Sequence, residues 1–187
     1  MPTIQHPVMY KTSDVRGDII VASAVQTAIG QALELWKPAP FDGPFPVKGF
    51  GIAKLKADDL IKNGNSLGGH MYTSFWGFSL TTASTWESMI DVTLSDSCYI
   101  VITGIFCLDA TPDVEMIKII ADGVEYPVMD ITEMYSWDQA SANFAHPIVI
   151  SPEKNLKIKW KGPTARQSKL GFLGYTVATR SYLIGEV

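Results

Sequence analysis

The chain has 187 residues, of which 47% are hydrophobic and only 18% are charged, and its net charge at pH 7 is −4. The length is sufficient for one domain with a full hydrophobic core, and the acidic balance argues against a nucleic-acid-binding surface, which needs an excess of basic residues. Because the charged fraction lies below the usual quarter for soluble domains, we expect apolar surface that neighbouring molecules cover.

Residues 1–67 are predicted to form an N-terminal arm. Their start has no basic segment followed by a short apolar core, so no secretory signal is expected, and residues 1–17 show no clear period. Residues 19–36 carry an alanine-rich apolar stripe with helical spacing, although a strand-like alternation also runs through them, and helix is favoured. Polar residues interrupt this stretch, so it is not expected to span a membrane.

The arm continues with residues 37–51, which hold four prolines and three phenylalanines. Such a segment cannot be helical and is too aromatic for a free linker, so it should lie extended over an apolar surface. The candidates for contact with a neighbouring subunit are Trp36, Phe41, Phe45 and Phe50. The alternative is that the arm folds back on its own domain.

Residues 68–187 are predicted to form the β domain, an all-β, two-sheet antiparallel sandwich of the jelly-roll type, because short strands and turn signals follow one another closely. The segment from Trp86 to Leu94 is predicted as a strand with Trp86 facing inward. The apolar run from Cys98 to Leu108 predicts a strand that is covered on both faces. Strand geometry would place Cys98 and Cys107 far apart and on opposite faces, so both thiols are expected to be reduced.

Two further patterns predict antiparallel strand pairs. Asp122-Gly123 lies between two strand-like segments and favours the positive φ angles of a type I′ hairpin turn. Residues 156–161 alternate apolar and basic side chains, which is typical of a strand with one buried and one solvated face.

No catalytic, cofactor or metal site is predicted. The three histidines, His6, His70 and His146, have no partner at metal-ligand spacing, and Cys98 and Cys107 lie in an apolar run where burial raises the pKa of a thiol. The sequence contains no nucleophile elbow, P-loop or dinucleotide-binding fingerprint. A non-enzymatic protein without cofactors is therefore expected.

The segment 129–143 is the one long excursion between predicted strands. It carries Tyr135 and Trp137, which on a lectin-like sandwich could stack on a sugar ring. These two residues are the candidates for contact with a carbohydrate or receptor, although packing in the core or against a subunit is the favoured alternative for them.

The segments ADGVEYPV, FAHPIVISPEKNLKIKW and LGFLGYTVATRSYLI, which lie between Ile117 and Ile184, resemble the single jelly-roll structural proteins of phages and archaeal viruses. That family includes minor capsid, cement, decoration and spike-base proteins. The resemblance implies symmetric copies on a virion, assembled in the host cytoplasm, with copies of the chain itself and other capsid proteins as partners. It implies no enzymatic activity and no binding of nucleic acid or membrane.

Overall fold

The computed structural model describes residues 9–36, 49–62, 78–109 and 114–184. The strands are β1 (Met9–Lys11), β2 (Phe50–Lys54), β3 (Phe78–Ser79), β4 (Glu87–Thr93), β5 (Cys98–Cys107), β6 (Met116–Ala121), β7 (Val124–Glu125), β8 (Met129–Asp130), β9 (Ser141–Ile150), β10 (Asn155–Lys161), β11 (Gln167–Ser168) and β12 (Leu170–Thr179). The helices are α1 (Val15–Leu35), α2 (Ala57–Lys62), α3 (Thr132–Ser136) and α4 (Arg180–Ile184).

Two antiparallel sheets form a sandwich. The first has the strand order β1-β9-β5-β12-β2, and the second has the order β4-β10-β6-β7 with β8 also paired to β6. A small separate sheet pairs β3 with β11. The core between the two large sheets is built from alternating inward side chains, including Ile100, Ile102, Ile117, Ile158 and Trp160, each at most 1% exposed.

The strand pairing is that of a jelly roll. Taken in chain order, the eight main sandwich strands are β2, β4, β5, β6, β7, β9, β10 and β12. The first pairs with the eighth, the second with the seventh, the third with the sixth and the fourth with the fifth. This is the pairing of one long hairpin rolled into two sheets, so the predicted all-β sandwich and its jelly-roll type are confirmed.

The sandwich includes strands from the segment predicted as an arm. β1 pairs with the edge of β9, and β2 pairs with β12, so the first sandwich strands precede residue 68, where the β domain was predicted to start. Both are short, and their partners lie far along the chain, so no local pattern marks them. Residues 9–36 thus lie on their own sandwich rather than extending from it. Phe41 and Phe45 are outside the described residues.

The predicted helix is confirmed as α1. Asp14 caps its start by accepting a hydrogen bond from the backbone N–H of Arg16 at 2.9 Å. The helix lies across β9, β5 and β12 on the side of the sheet away from the sandwich core. Its buried residues Ala28 and Ala32 pack with Tyr99, Val101 and Val177 of the sheet. β5 is therefore covered on both faces, as its apolar run predicted.

A bulge in β5 corrects the predicted placement of the cysteines. Ile102 pairs with Gly174 and Gly104 pairs with Leu173, so Thr103 is an extra residue without an opposite partner. The bulge inverts the alternation of side chains along the strand. Cys98 and Cys107 consequently both face the core between the sheets, and neither forms a disulfide bond.

A second bulge corrects the predicted orientation of Trp86. In the pairing of β4 with β10, Ile90 and Ser88 face consecutive residues, which leaves Met89 as the extra residue. Upstream of this bulge the side chains change faces. Trp86 is 37% exposed, and the Nζ atom of Lys118 lies 5.3 Å from its ring centroid.

The two predicted strand pairs are confirmed. Asp122 and Gly123 have φ angles of 49° and 78°, as a type I′ turn between β6 and β7 requires. In β10, Leu156, Ile158 and Trp160 are buried, whereas the lysines between them face outward.

Candidate functional site

The side of α1 that is turned away from the sheet carries uncharged residues along its middle, and the exposed charged residues Arg16 and Glu34 lie along one flank. We call this side the outer face of α1; its exposed uncharged residues are Val15, Ile19, Ala22, Ser23, Gln26, Gly30 and Leu33. Val15 is 68% exposed, Ile19 65% and Leu33 53%. A helix on the surface of a monomer ordinarily turns charged or polar residues to this side. The outer face is therefore suited to contact with another molecule.

Gly30 lies near the middle of this face, and no contact within the described residues requires a glycine there. A Cβ atom added to it would meet no atom of the described residues within 4 Å. Glycine inside a helix costs about 1 kcal/mol relative to alanine. A hollow of about 450 Å³ adjoins it, with walls made by Gly30, Gln31, Glu34, Leu35 and Tyr99.

Two of the predicted subunit-contact residues lie together at the end of α1. The Trp36 ring is edge-on to Tyr99 with the centroids 5.4 Å apart, and its centroid is 6.1 Å from that of Phe50. Trp36 and Phe50 are half-buried on their own chain. Burial raises the pKa of the Tyr99 hydroxyl. These aromatic side chains anchor the end of α1 and the start of β2 to the sheet.

Tyr135, a predicted ligand-contact residue, belongs to a polar cluster at one end of the sandwich. Its hydroxyl donates to the carbonyl oxygen of Asp109 at 2.9 Å and lies 3.0 Å from Sγ of Cys107. The Asp109 carboxylate accepts hydrogen bonds from the Ser168 hydroxyl at 2.5 Å and from the backbone N–H of Lys169 at 2.9 Å. Burial raises the pKa of the Cys107 thiol, so it stays protonated at neutral pH and is a poor nucleophile.

A cavity of about 370 Å³ opens beside this cluster, and its walls include side chains with carboxylate, amide and phenol groups. The residues that line it are Cys107, Leu108, Asp109, Tyr135, Asp138, Gln139 and Ala140. Trp137 does not line the cavity. It is half-buried against the core, and the Nζ atom of Lys11 lies 6.0 Å from its ring centroid. The structure thus separates the two predicted ligand-contact residues.

Sequence reasoning selected Tyr135 but missed Asp109, Asp138 and Gln139 as its neighbours at the cavity. Apart from the neighbouring Cys107, the partners of Asp109 come from two distant segments of the chain, around Tyr135 and Ser168, so no local spacing marks the cluster. It also missed the outer face of α1, where the apolar positions at a spacing of three to four residues were a visible signal. Within the described ranges, no group of three or more His, Cys, Asp or Glu residues could hold a metal ion, and no helix is long and apolar enough to cross a membrane.

Comparisons with known proteins give no family. No family model matches the chain, and no curated protein matches it. Among solved structures, it is similar to a ruminal GH26 endo-beta-1,4-mannanase, with 18% sequence identity over 67% of this chain and a TM-score of 0.28. The matched region spans 25% of the mannanase chain. A likeness at this level carries no argument about function.

Proposed function

We propose that this jelly-roll protein is a non-enzymatic structural component that assembles in symmetric copies, as a capsid, cement or decoration protein of a virion. The outer face of α1 carries the proposal. Over about six helical turns it exposes Val15, Ile19 and Leu33, and the charged side chains of Arg16 and Glu34 lie only along one flank. Exposed apolar side chains gathered on one face mark sites of contact between proteins.

The fold is compatible with this role. Jelly rolls form viral capsid proteins, lectins and cupins, so the fold alone does not select among these functions. The apolar face of the helix is what favours assembly over the other two.

The proposal predicts that the purified chain forms oligomers of one defined size, or binds the particle to which it belongs. Native mass spectrometry and sedimentation velocity from low to high micromolar concentration would measure this. A compact monomer over the whole range, together with no binding to a particle, would contradict the proposal.

The second candidate is a module that binds carbohydrate or a receptor, and the cavity beside Tyr135 favours it. Carboxylate and amide groups in a concave site of about 370 Å³ are suited to hydrogen bonds with sugar hydroxyls. Calorimetry with a panel of neutral oligosaccharides would test this candidate. Binding to the wild-type chain that is lost in Asp138→Ala and retained in Glu133→Ala, a control on the nearby helix α3, would support it. No binding to the wild-type chain by any of these sugars would reject carbohydrate as the ligand.

A further inference from the structure

We propose that α1 pairs with α1 of a second copy of the chain, antiparallel and about a two-fold axis between residues 24 and 25, with Ile19 of one copy seated over Gly30 of the other. The inference rests on the proposed self-assembly and names the surface that mediates it. Two-fold dimers of this kind use the same patch on both subunits, so the patch must be complementary to itself.

The sizes of the side chains along the outer face of α1 meet that requirement. Its large apolar residues, Val15, Ile19 and Leu33, lie toward the two ends, and the small residues Ala22, Ser23 and Gly30 lie between or beside them. In an antiparallel pair centred between residues 24 and 25, Ile19 lies opposite Gly30, and Ser23 lies opposite Gln26. Ile19 of each copy then lies over the small Gly30 of the other, as ridges pack into grooves.

Gly30 is the second observation that points to a partner. Its missing side chain leaves space that no atom in the described part of the chain fills within 4 Å of the Cβ position. A shallow hollow of about 450 Å³ adjoins this space on the flank of α1 that faces Tyr99. A helical glycine that faces open space is explained when another molecule approaches the backbone there.

Charges at the two ends of α1 select the antiparallel arrangement. Arg16 and Glu34 lie on the same flank of the outer face, 18 residues and therefore about 27 Å apart. Antiparallel pairing brings Arg16 of each copy next to Glu34 of the other. Arg16 also contacts its own Asp14 at 2.6 Å, and its five N–H donors are sufficient for both carboxylates.

The area of the contact predicts modest affinity for one pair. A single helix pair lies at the small end of specific interfaces, below about 1,200 Å². Such a contact gains strength when several copies engage together, as they do in a closed shell.

Cysteine cross-linking tests the arrangement directly. In the antiparallel pair the two copies of residue 26 are offset by about 4.5 Å along the helix axis, whereas the two copies of residue 15 are about 28 Å apart. Oxidation should therefore cross-link Gln26→Cys into a covalent dimer and leave Val15→Cys monomeric. The wild-type chain controls for the native thiols Cys98 and Cys107, which are buried.

Gly30→Leu tests the close contact without disturbing the fold, because its new side chain points into open space in the monomer. We expect it to melt at or above the wild-type temperature and to weaken association by about tenfold or more. Thr27→Leu, which adds an apolar side chain on the flank of the same helix, should associate like the wild-type chain.

The results of these experiments distinguish a failure of the α1 pairing from a failure of the proposed assembly. Cross-linking of Val15→Cys but not of Gln26→Cys, or full association of Gly30→Leu, overturns the antiparallel pair while assembly through another surface stands. A wild-type chain that stays monomeric and binds no particle overturns the proposed function itself.

Discussion

Asp59 links three parts of the chain through its buried carboxylate and its backbone carbonyl. It is 7% exposed and accepts hydrogen bonds from the backbone N–H of Lys56 at 2.8 Å and from the Thr176 hydroxyl at 3.0 Å. The first bond closes the start of α2 in the manner of a capping box, in which an acidic residue reaches back to the residue before the helix. The second bond joins α2 to β12. The backbone carbonyl of Asp59 also accepts a hydrogen bond from the Tyr182 hydroxyl at 3.0 Å.

Replacement of Asp59 by alanine should lower the free energy of unfolding by about 2–4 kcal/mol, because it leaves a buried hydroxyl and a backbone N–H without their acceptor. Asp59→Asn keeps one acceptor oxygen and should lose less. Urea denaturation of both variants measures the difference. An Asp59→Ala variant as stable as the wild-type chain would show that the carboxylate has no structural role.

Replacement by alanine should have opposite effects on stability at Gly30 and at Gly104. A Cβ atom at Gly30 meets nothing, whereas one at Gly104 would lie 2.3 Å from the carbonyl oxygen of Ala142. Gly30→Ala should therefore stabilise the chain by about 0.5–1 kcal/mol. Gly104→Ala should destabilise it by several times that amount, because the backbone of β9 would have to move. Thermal melts of both variants, at concentrations too low for the chains to associate, would measure whether each substitution raises or lowers the melting temperature.

The pairing of β4 with β10 has a charged outer surface. Asp91 and Lys157 are opposite partners in the register, and their side chains form an ion pair of 2.7 Å that is about one-third exposed. The hydrogen bond from Lys157 lowers the pKa of Asp91 below its ordinary value. Asn155 donates a further hydrogen bond to the same carboxylate at 3.2 Å.

This ion pair predicts a pH-dependent stability. A carboxyl whose folded pKa is lowered adds stability at pH values above its unfolded pKa of about 3.9 and loses it as the pH falls through the lower folded pKa. Because the pair is partly exposed, Asp91→Asn should cost only about 0.2–1 kcal/mol at pH 7. The difference in melting temperature from the wild-type chain should vanish in strong acid. A difference that stays constant from neutral to acidic pH would show that the charge of Asp91 contributes nothing.

The elements differ in how far their sequences predicted them. β10 and the β6–β7 turn carry local signals, namely strict alternation and Asp122-Gly123, and both formed as expected. The bulges at Met89 and Thr103 carry none, because a bulge is defined by the register of the partner strand. That is why the faces of Trp86 and Cys98 were predicted incorrectly.

The candidate functional surfaces also differ in how much of them local sequence patterns predicted. The apolar stripe that predicted α1 meets the sheet through Val25 and Ala32, whereas Leu33, a member of the same stripe, is 53% exposed on the outer face. Tyr135 was identifiable as an aromatic residue in a long excursion. Its contact with Asp109, 26 residues away, depends on the closure of the whole sandwich.

At the scale of the whole molecule, β1 protects an edge of the first sheet. It pairs Met9 with Phe144 and Tyr10 with Asn143 of β9, and Met9 is only 2% exposed. An uncovered edge strand offers unpaired backbone groups to other chains.

Deletion of residues 1–11 should leave a folded sandwich with a lower melting temperature, because it removes the buried Met9 side chain and uncovers β9. Met9→Ala in the full chain removes only the packing of the Met9 side chain, and it should lower the free energy of unfolding by about 2–5 kcal/mol. Light scattering during the melt should show aggregation of the truncated chain but not of Met9→Ala. Equal aggregation of the two variants would show that edge protection is not the function of β1.

The nested pairing of the jelly roll governs when the chain can fold during its synthesis. The β6–β7 hairpin joins neighbouring residues, whereas β2 meets its partner only through pairs such as Gly51 with Ala178. β12 lies between β5 and β2, so β2 cannot join the first sheet until residues 170–179 have left the ribosome. Strand pairing of such long range is slow and leaves apolar edges open meanwhile. We therefore expect the nascent chain to expose an unpaired strand edge of the incomplete sheet during that interval, which favours aggregation.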